Sequence, residues 1–194
     1  MPMYRFVPDD ARVNSPERKR DTMRRPANVP YLVDNLWEWK RPAGYPDRRH
    51  SAYASPTPDL ARASSRKEGR VFKVEIPQST RCLIGQLELE DSKYHPECRS
   101  LPDLIFRLLG QDWLDGSLKS KQAAGRLWMP CLAKAEVEGL FHEEPLSRHR
   151  QDVWEAIRYW QDVRTFAPDS PMLPFPKGEV FFEADEWRLV GIDR

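Results

Sequence analysis

Apolar and polar residues alternate along Arg70-Val71-Phe72-Lys73-Val74-Glu75-Ile76, and Pro77 ends the run. A period of two belongs to a strand with one buried face. Met3-Tyr4-Arg5-Phe6-Val7, stopped by Pro8, predicts a second strand, and Ser51-Ala52-Tyr53-Ala54-Ser55 a third, shorter one. Cys82 to Leu89 adds a further strand candidate. Helical spacing joins Tyr31, Leu32, Asn35, Leu36 and Trp39, with Asn28 as cap, Pro30 in the first turn and Pro42 beyond the end. Thr57 as cap and Pro58 as first residue predict a short helix through Leu60, Ala61 and Ala63.

After Leu101 the period lengthens. Leu104, Ile105, Leu108 and Leu109 predict one amphipathic helix, Trp154, Ile157, Tyr159 and Trp160 a later one, and residues 127–140 a helical stretch between them. The Pro-rich segment 167–176 closes this block. Glu179–Phe182 and Trp187–Ile192 then predict a β-hairpin turned at Glu183-Ala184-Asp185-Glu186. Residues 9–27, crowded with Arg, Lys, Asp and Pro, carry no apolar period and predict a mobile loop. The expectation is an α+β chain forming a single domain over 1–194. It divides into a strand-and-helix half at 3–90, a helical segment at 101–166 and a C-terminal hairpin at 172–194.

Composition sharpens this only in part. A chain of 194 residues with 40% hydrophobic and 11% aromatic residues has enough bulky apolar surface to fold around one sizeable core. Charged residues reach 31% yet cancel to a net +1, which argues against a protein built to coat nucleic acid. Cys82, Cys98 and Cys131 are odd in number and widely spaced, and His95, His142 and His149 stand apart from them. Neither a disulfide framework nor a zinc site is expected. The N-terminal residues lack a signal-like apolar run, and no segment approaches the roughly 20 apolar residues of a membrane span. A cytoplasmic location is expected, the alternative being delivery to a target cell without a cleaved signal. The seven tryptophans, Trp113 among them, are scattered and read mainly as core.

Three short pieces carry candidate chemistry: Tyr4-Arg5 in the opening strand, Ser51-Ala52-Tyr53-Ala54-Ser55-Pro56-Thr57 running from strand into helix, and Gly178-Glu179-Val180-Phe181-Phe182 near the end. Their order resembles the ADP-ribosyltransferase superfamily, whose members transfer ADP-ribose from NAD. The resemblance covers residues 3–76 and 172–193 in pattern. It implies a split, mixed β-sheet core formed by the N- and C-terminal strands, with the helical middle as an insertion. It also implies that Arg5 and Tyr4 contact the cofactor, that Tyr53, Ser55 and Thr57 build the nicotinamide pocket, and that Glu179 is catalytic. NAD would be the substrate, and the acceptor a protein or nucleic acid, as in a toxin or effector with an inhibitory partner protein.

Residue chemistry fits these roles. Breaking the nicotinamide–ribose bond develops positive charge on the ribose, which a fixed carboxylate stabilises. A guanidinium makes paired, charge-assisted bonds to pyrophosphate. Neither a Rossmann nor a P-loop glycine pattern is present, so an NAD site would be of another kind. Each residue has a plainer role as well: Arg5 as an ion-paired surface residue, Thr57 as a cap, Glu179 as an edge charge. The run Arg48-Arg49-His50 would hold phosphate or form a solvated loop, the latter being favoured by its charge density. Lys177 replaces the first carboxylate of the Glu-x-Glu pattern of arginine-modifying transferases, so arginine as acceptor is in doubt. Two other functions remain: an NAD glycohydrolase on the same scaffold, and a non-catalytic binding or immunity protein using the basic loops and Trp-rich helices.

Overall fold

The alternating run at 70–76 forms the interior of a sheet in the computed structural model, which describes residues 2–11, 16–19, 21–171 and 173–192, with backbone only for 111–115. The chain is α+β and divides into two compact units, one of residues 1–23, 43–92 and 163–194, the other of residues 24–42 and 93–162. Every strand belongs to the first unit. Residues 12–15 and 20 of the expected loop, and the Trp113 side chain, lie outside the described residues.

The first unit holds two four-stranded sheets. In one, β1 (Met3–Pro8), β4 (Gly69–Glu75), β8 (Glu186–Gly191) and the two-residue β2 (Glu17–Arg18) lie side by side in that order. In the other the order is β3 (Ala52–Ala54), β7 (Val180–Ala184), β5 (Cys82–Gln86) and β6 (Arg164–Phe166). N- and C-terminal strands are thus interleaved in both. A mixed sheet does not form: each pairing among the described residues is antiparallel, because neighbouring strands run out and back whatever length of chain joins them. Met3, Val74 and Trp187 from the first sheet share one apolar core with Ala54, Ile84, Val180 and Phe182 from the second. Phe182 meets Trp187 edge-on, with ring centroids 5.4 Å apart.

The expected C-terminal hairpin is also absent. β7 and β8 are separated by Asp185 alone, too short a link for the two-residue turn of a tight hairpin. The chain instead runs on from the middle of one sheet into the middle of the other. A further link joins the sheets at their N-terminal strands: Tyr4 and Ser55 exchange backbone hydrogen bonds of 2.8 and 2.7 Å. The loop at 9–27 contributes more than expected, since β2 pairs with β8 and Lys19 forms an ion pair with Glu183. The short helix α2 (Pro58–Ala63) forms as its sequence dictates, with Thr57 Oγ1 accepting from the Leu60 amide at 3.3 Å.

The second unit is helical. Its central helix, taking α1 as Tyr31–Lys40, has eight of its ten residues buried, which explains why it is covered by later helices rather than grouped with the strands that flank it in sequence. Pro30 occupies its capping position without a side-chain cap, so Asn28 does not serve there. The others are α3 (Glu97–Asp115, interrupted at Gly110), α4 (Leu118–Gly125), α5 (Lys134–Leu140), α6 (Arg150–Ala156) and α7 (Tyr159–Asp162). Trp37 stacks on Tyr159 at 3.9 Å and Trp39 on Phe141 at 4.4 Å, so these two tryptophans are core. Asn35 binds the loop before α5, donating to the carbonyls of Leu127 and Met129 and accepting from the Leu132 amide. No helix among the described residues is long and apolar enough to cross a membrane.

Candidate functional site

Glu179 stands immediately before β7, where backbone bonds fix it on both sides. Its amide donates to the Leu89 carbonyl at 2.7 Å and its carbonyl accepts from the Leu87 amide at 3.0 Å. The preceding residue must be glycine: a Cβ on Gly178 would lie 1.9 Å from the Leu87 carbonyl oxygen. Gln86, fully buried, shapes the turn before it by donating to the carbonyls of Phe175 and Gly178 while accepting from the Phe175 amide. The strand pattern therefore delivers one carboxylate to one fixed place.

Two side chains meet it there. Ser92 Oγ donates to Glu179 Oε2, and Arg48 Nη1 lies 3.8 Å from the same oxygen. Arg48 also donates to Ser92 Oγ at 2.7 Å, closing a triangle of cation, hydroxyl and carboxylate. The Arg48 guanidinium sits over the rings of Phe181 and Tyr53, 5.4 and 5.8 Å from their centroids, and the Tyr53 hydroxyl donates to the Arg48 carbonyl at 3.2 Å. Gly85, opposite Phe181 in the sheet, leaves room for that ring, because a Cβ there would come within 2.9 Å of it. The Arg48 side chain is 8% exposed and that of Glu179 15%.

Burial pushes the Glu179 carboxyl above its ordinary value, and Arg48 and the Ser92 hydroxyl only partly offset this; Asp91 adds to the rise. The Ser92 backbone amide joins the Ser92 hydroxyl in bonding this carboxylate. The arrangement provides a single fixed carboxylate whose Oε2 is held by the Ser92 hydroxyl and whose affinity for a proton is raised by burial.

The other expected site residues fall into place around this centre to different degrees. Ala54 is opposite Val180, so Ser55 and Glu179 come next on two adjacent strands, and the Tyr4–Ser55 bridge brings β1 to the same end of the sheet. Arg5 follows Tyr4 on β1, opposite Phe72. Tyr53, expected to stack on nicotinamide, carries the Arg48 guanidinium over its ring. Thr57 Oγ1 is engaged as the α2 cap, its proton remaining available. His50 Nδ1 lies 3.0 Å from Asp47 Oδ2, within a turn organised by Asp47.

Arg48 and Arg49 overturn the expectation of a solvated loop, since both are buried. Burial becomes tolerable for Arg48 because a carboxylate, a hydroxyl and two aromatic faces receive it. Ser92 was not foreseen; a single serine between Asp91 and Lys93 carries no local signal. Among the described residues, no group of three or more His, Cys, Asp or Glu side chains is placed to hold a metal ion. No protein-family model, curated protein or solved structure matches this chain.

Proposed function

We propose that the strand unit is an NAD-cleaving domain of ADP-ribosyltransferase type that transfers ADP-ribose to a macromolecular acceptor. The observation that supports this best is the placement of Glu179. Its carboxylate is fixed at the end of β7 beside the Ser55 end of β3, and Ser55 is in turn bridged to Tyr4 of β1. In this reading the pyrophosphate is held by Arg5, with His50 as a further cofactor contact. The hydroxyls of Ser55 and Thr57 orient the nicotinamide end. The C1′–N bond breaks, nicotinamide leaves with the bonding electrons, and Glu179 stabilises the cationic ribose. The acceptor attacks C1′ and loses its proton to Glu179.

One carboxylate at the site favours a neutral nucleophile over arginine, since Lys177 stands where a second acidic residue would face an arginine acceptor. Water meets that condition too, which makes NAD hydrolysis the second reading. Incubation with NAD and quantification of nicotinamide tests both: Glu179→Gln should lower turnover about 100- to 1,000-fold, the usual loss when one charge-stabilising group is removed. Unchanged turnover in that variant would remove the enzyme reading. Mass spectrometry of the acceptor mixture separates the two outcomes, an adduct marking transfer and free ADP-ribose alone marking hydrolysis.

A further inference from the structure

Ser92 lies outside every motif that led to Glu179, on the first residue of a 3-10 turn (Ser92–Tyr94) that follows the β5 extension. It is 1% exposed. A serine hydroxyl has a single proton and lone pairs to accept with. Here Arg48 Nη1 donates to Oγ at 2.7 Å, which directs the hydroxyl proton toward Glu179 Oε2. The direct approach of Arg48 to that oxygen is 3.8 Å, beyond hydrogen-bond length. The guanidinium therefore reaches the carboxylate mainly through the serine, in a directed chain from N–H to O–H to carboxylate whose members strengthen one another.

We propose that Ser92 is the positioning residue of this site: its hydroxyl relays Arg48 to Glu179 and holds Oε2, so that the carboxylate meets the substrate in one orientation. The catalytic part of the inference rests on the NAD-cleaving reading above; the positioning part rests on the geometry alone. Two consequences follow for the carboxylate. Its rotation about the terminal bond is arrested, so both of its oxygens have defined directions. Its charged form is stabilised against the burial and the neighbouring Asp91 that oppose it.

The test uses the full chain with carboxyl-13C glutamate, the Glu179 resonance being assigned by its loss in Glu179→Gln. In Ser92→Ala the Glu179 titration should move upward in pH. At neutral pH kcat for NAD cleavage should fall tenfold or more while KM stays within about twofold. Ser92→Thr, which restores the hydroxyl, should return both toward the parent values. Should Ser92→Ala not fold, Ser92→Cys keeps the side chain's size with a far weaker donor and should shift the titration in the same direction. A Glu179 titration unmoved by losing the Ser92 hydroxyl overturns the proposal. So does a kcat equal to that of the parent chain. If the parent chain does not cleave NAD, the functional reading falls, while the titration still decides whether Ser92 controls this carboxylate.

Discussion

Each unit buries a glutamate near the start of a structural element, and the two are treated in opposite ways. In the helical unit Glu97 is saturated: Oε2 accepts from Trp37 Nε1 at 2.7 Å, and Oε1 accepts from the amides of Arg158 and Tyr159. In the strand unit Glu179 is met by the hydroxyl and amide of one residue, Ser92, with the Arg48 guanidinium near Oε2. A carboxylate whose lone pairs are consumed by backbone and indole donors can only hold parts together. One that is fixed mainly by a single residue retains the capacity to take a proton or face a cation. Burial alone does not separate the two; the inventory of partners does.

The difference is open to direct attack. The largest effect should be on turnover, through the Glu179→Gln loss already given, with the fold retained because Gln keeps an oxygen to accept from the Ser92 hydroxyl. Glu97→Ala should do the reverse. It strands the Trp37 indole and two amides in the interior, and urea denaturation should report a loss of about 3 kcal/mol or more. Equal stability losses in the two variants would erase the contrast. Gly178→Ala should fall between them, costing about 1–3 kcal/mol by overpacking against Leu87 while also displacing Glu179, so that stability and turnover decline together.

The pH dependence of stability sharpens the same contrast. Glu179 has a folded-state pKa above its ordinary 4.5, so the native chain binds the proton more tightly than the unfolded one. Stability is therefore lost as pH rises from about 4.5 through the folded value, and Glu179→Gln should become progressively more stable relative to the parent over that window. Glu183, on β7, is lowered despite its burial, by its Lys19 ion pair and the Asp47 amide. Its contribution is full above 4.5 and is lost as pH falls through its folded value. The smallest effect concerns Cys82, whose thiol burial pushes up to about 12, with Glu183 and Asp185 adding to the rise. Iodoacetamide at pH 8 should alkylate it far more slowly than a free cysteine, as peptide mass spectrometry would report.

How much of this was readable beforehand depended on whether the signal was local. The alternation at 70–76, the Thr57-Pro58 helix start and the helical spacing of Tyr31, Leu32, Asn35, Leu36 and Trp39 are each dictated by neighbouring residues, and each element formed where expected. The β7–β8 segment failed because a hairpin and a strand that continues into a second sheet share the same alternation; Asp185 as sole linker is what separates them. The two-residue β2 has no pattern of its own and exists by pairing with β8. At the site, Glu179, Tyr53 and the Ser55 strand end were legible as short motifs. Arg48 was misread because a run of charges looks solvated until its distant partners are known. Ser92 is separated from Glu179 by 87 positions in sequence, and only the fold makes them neighbours.

The passage of one strand through both sheets also makes the two sheets depend on one another. β7 is flanked by β3 and β5, and β8 by β4 and β2, so residues 180–191 supply an inner strand to each sheet. Without these twelve residues β1 still has β4 and β5 still has β6, but β2 and β3 lose the strands they pair with. Glu179 directly precedes them, so the segment that completes both sheets also fixes the place of this carboxylate.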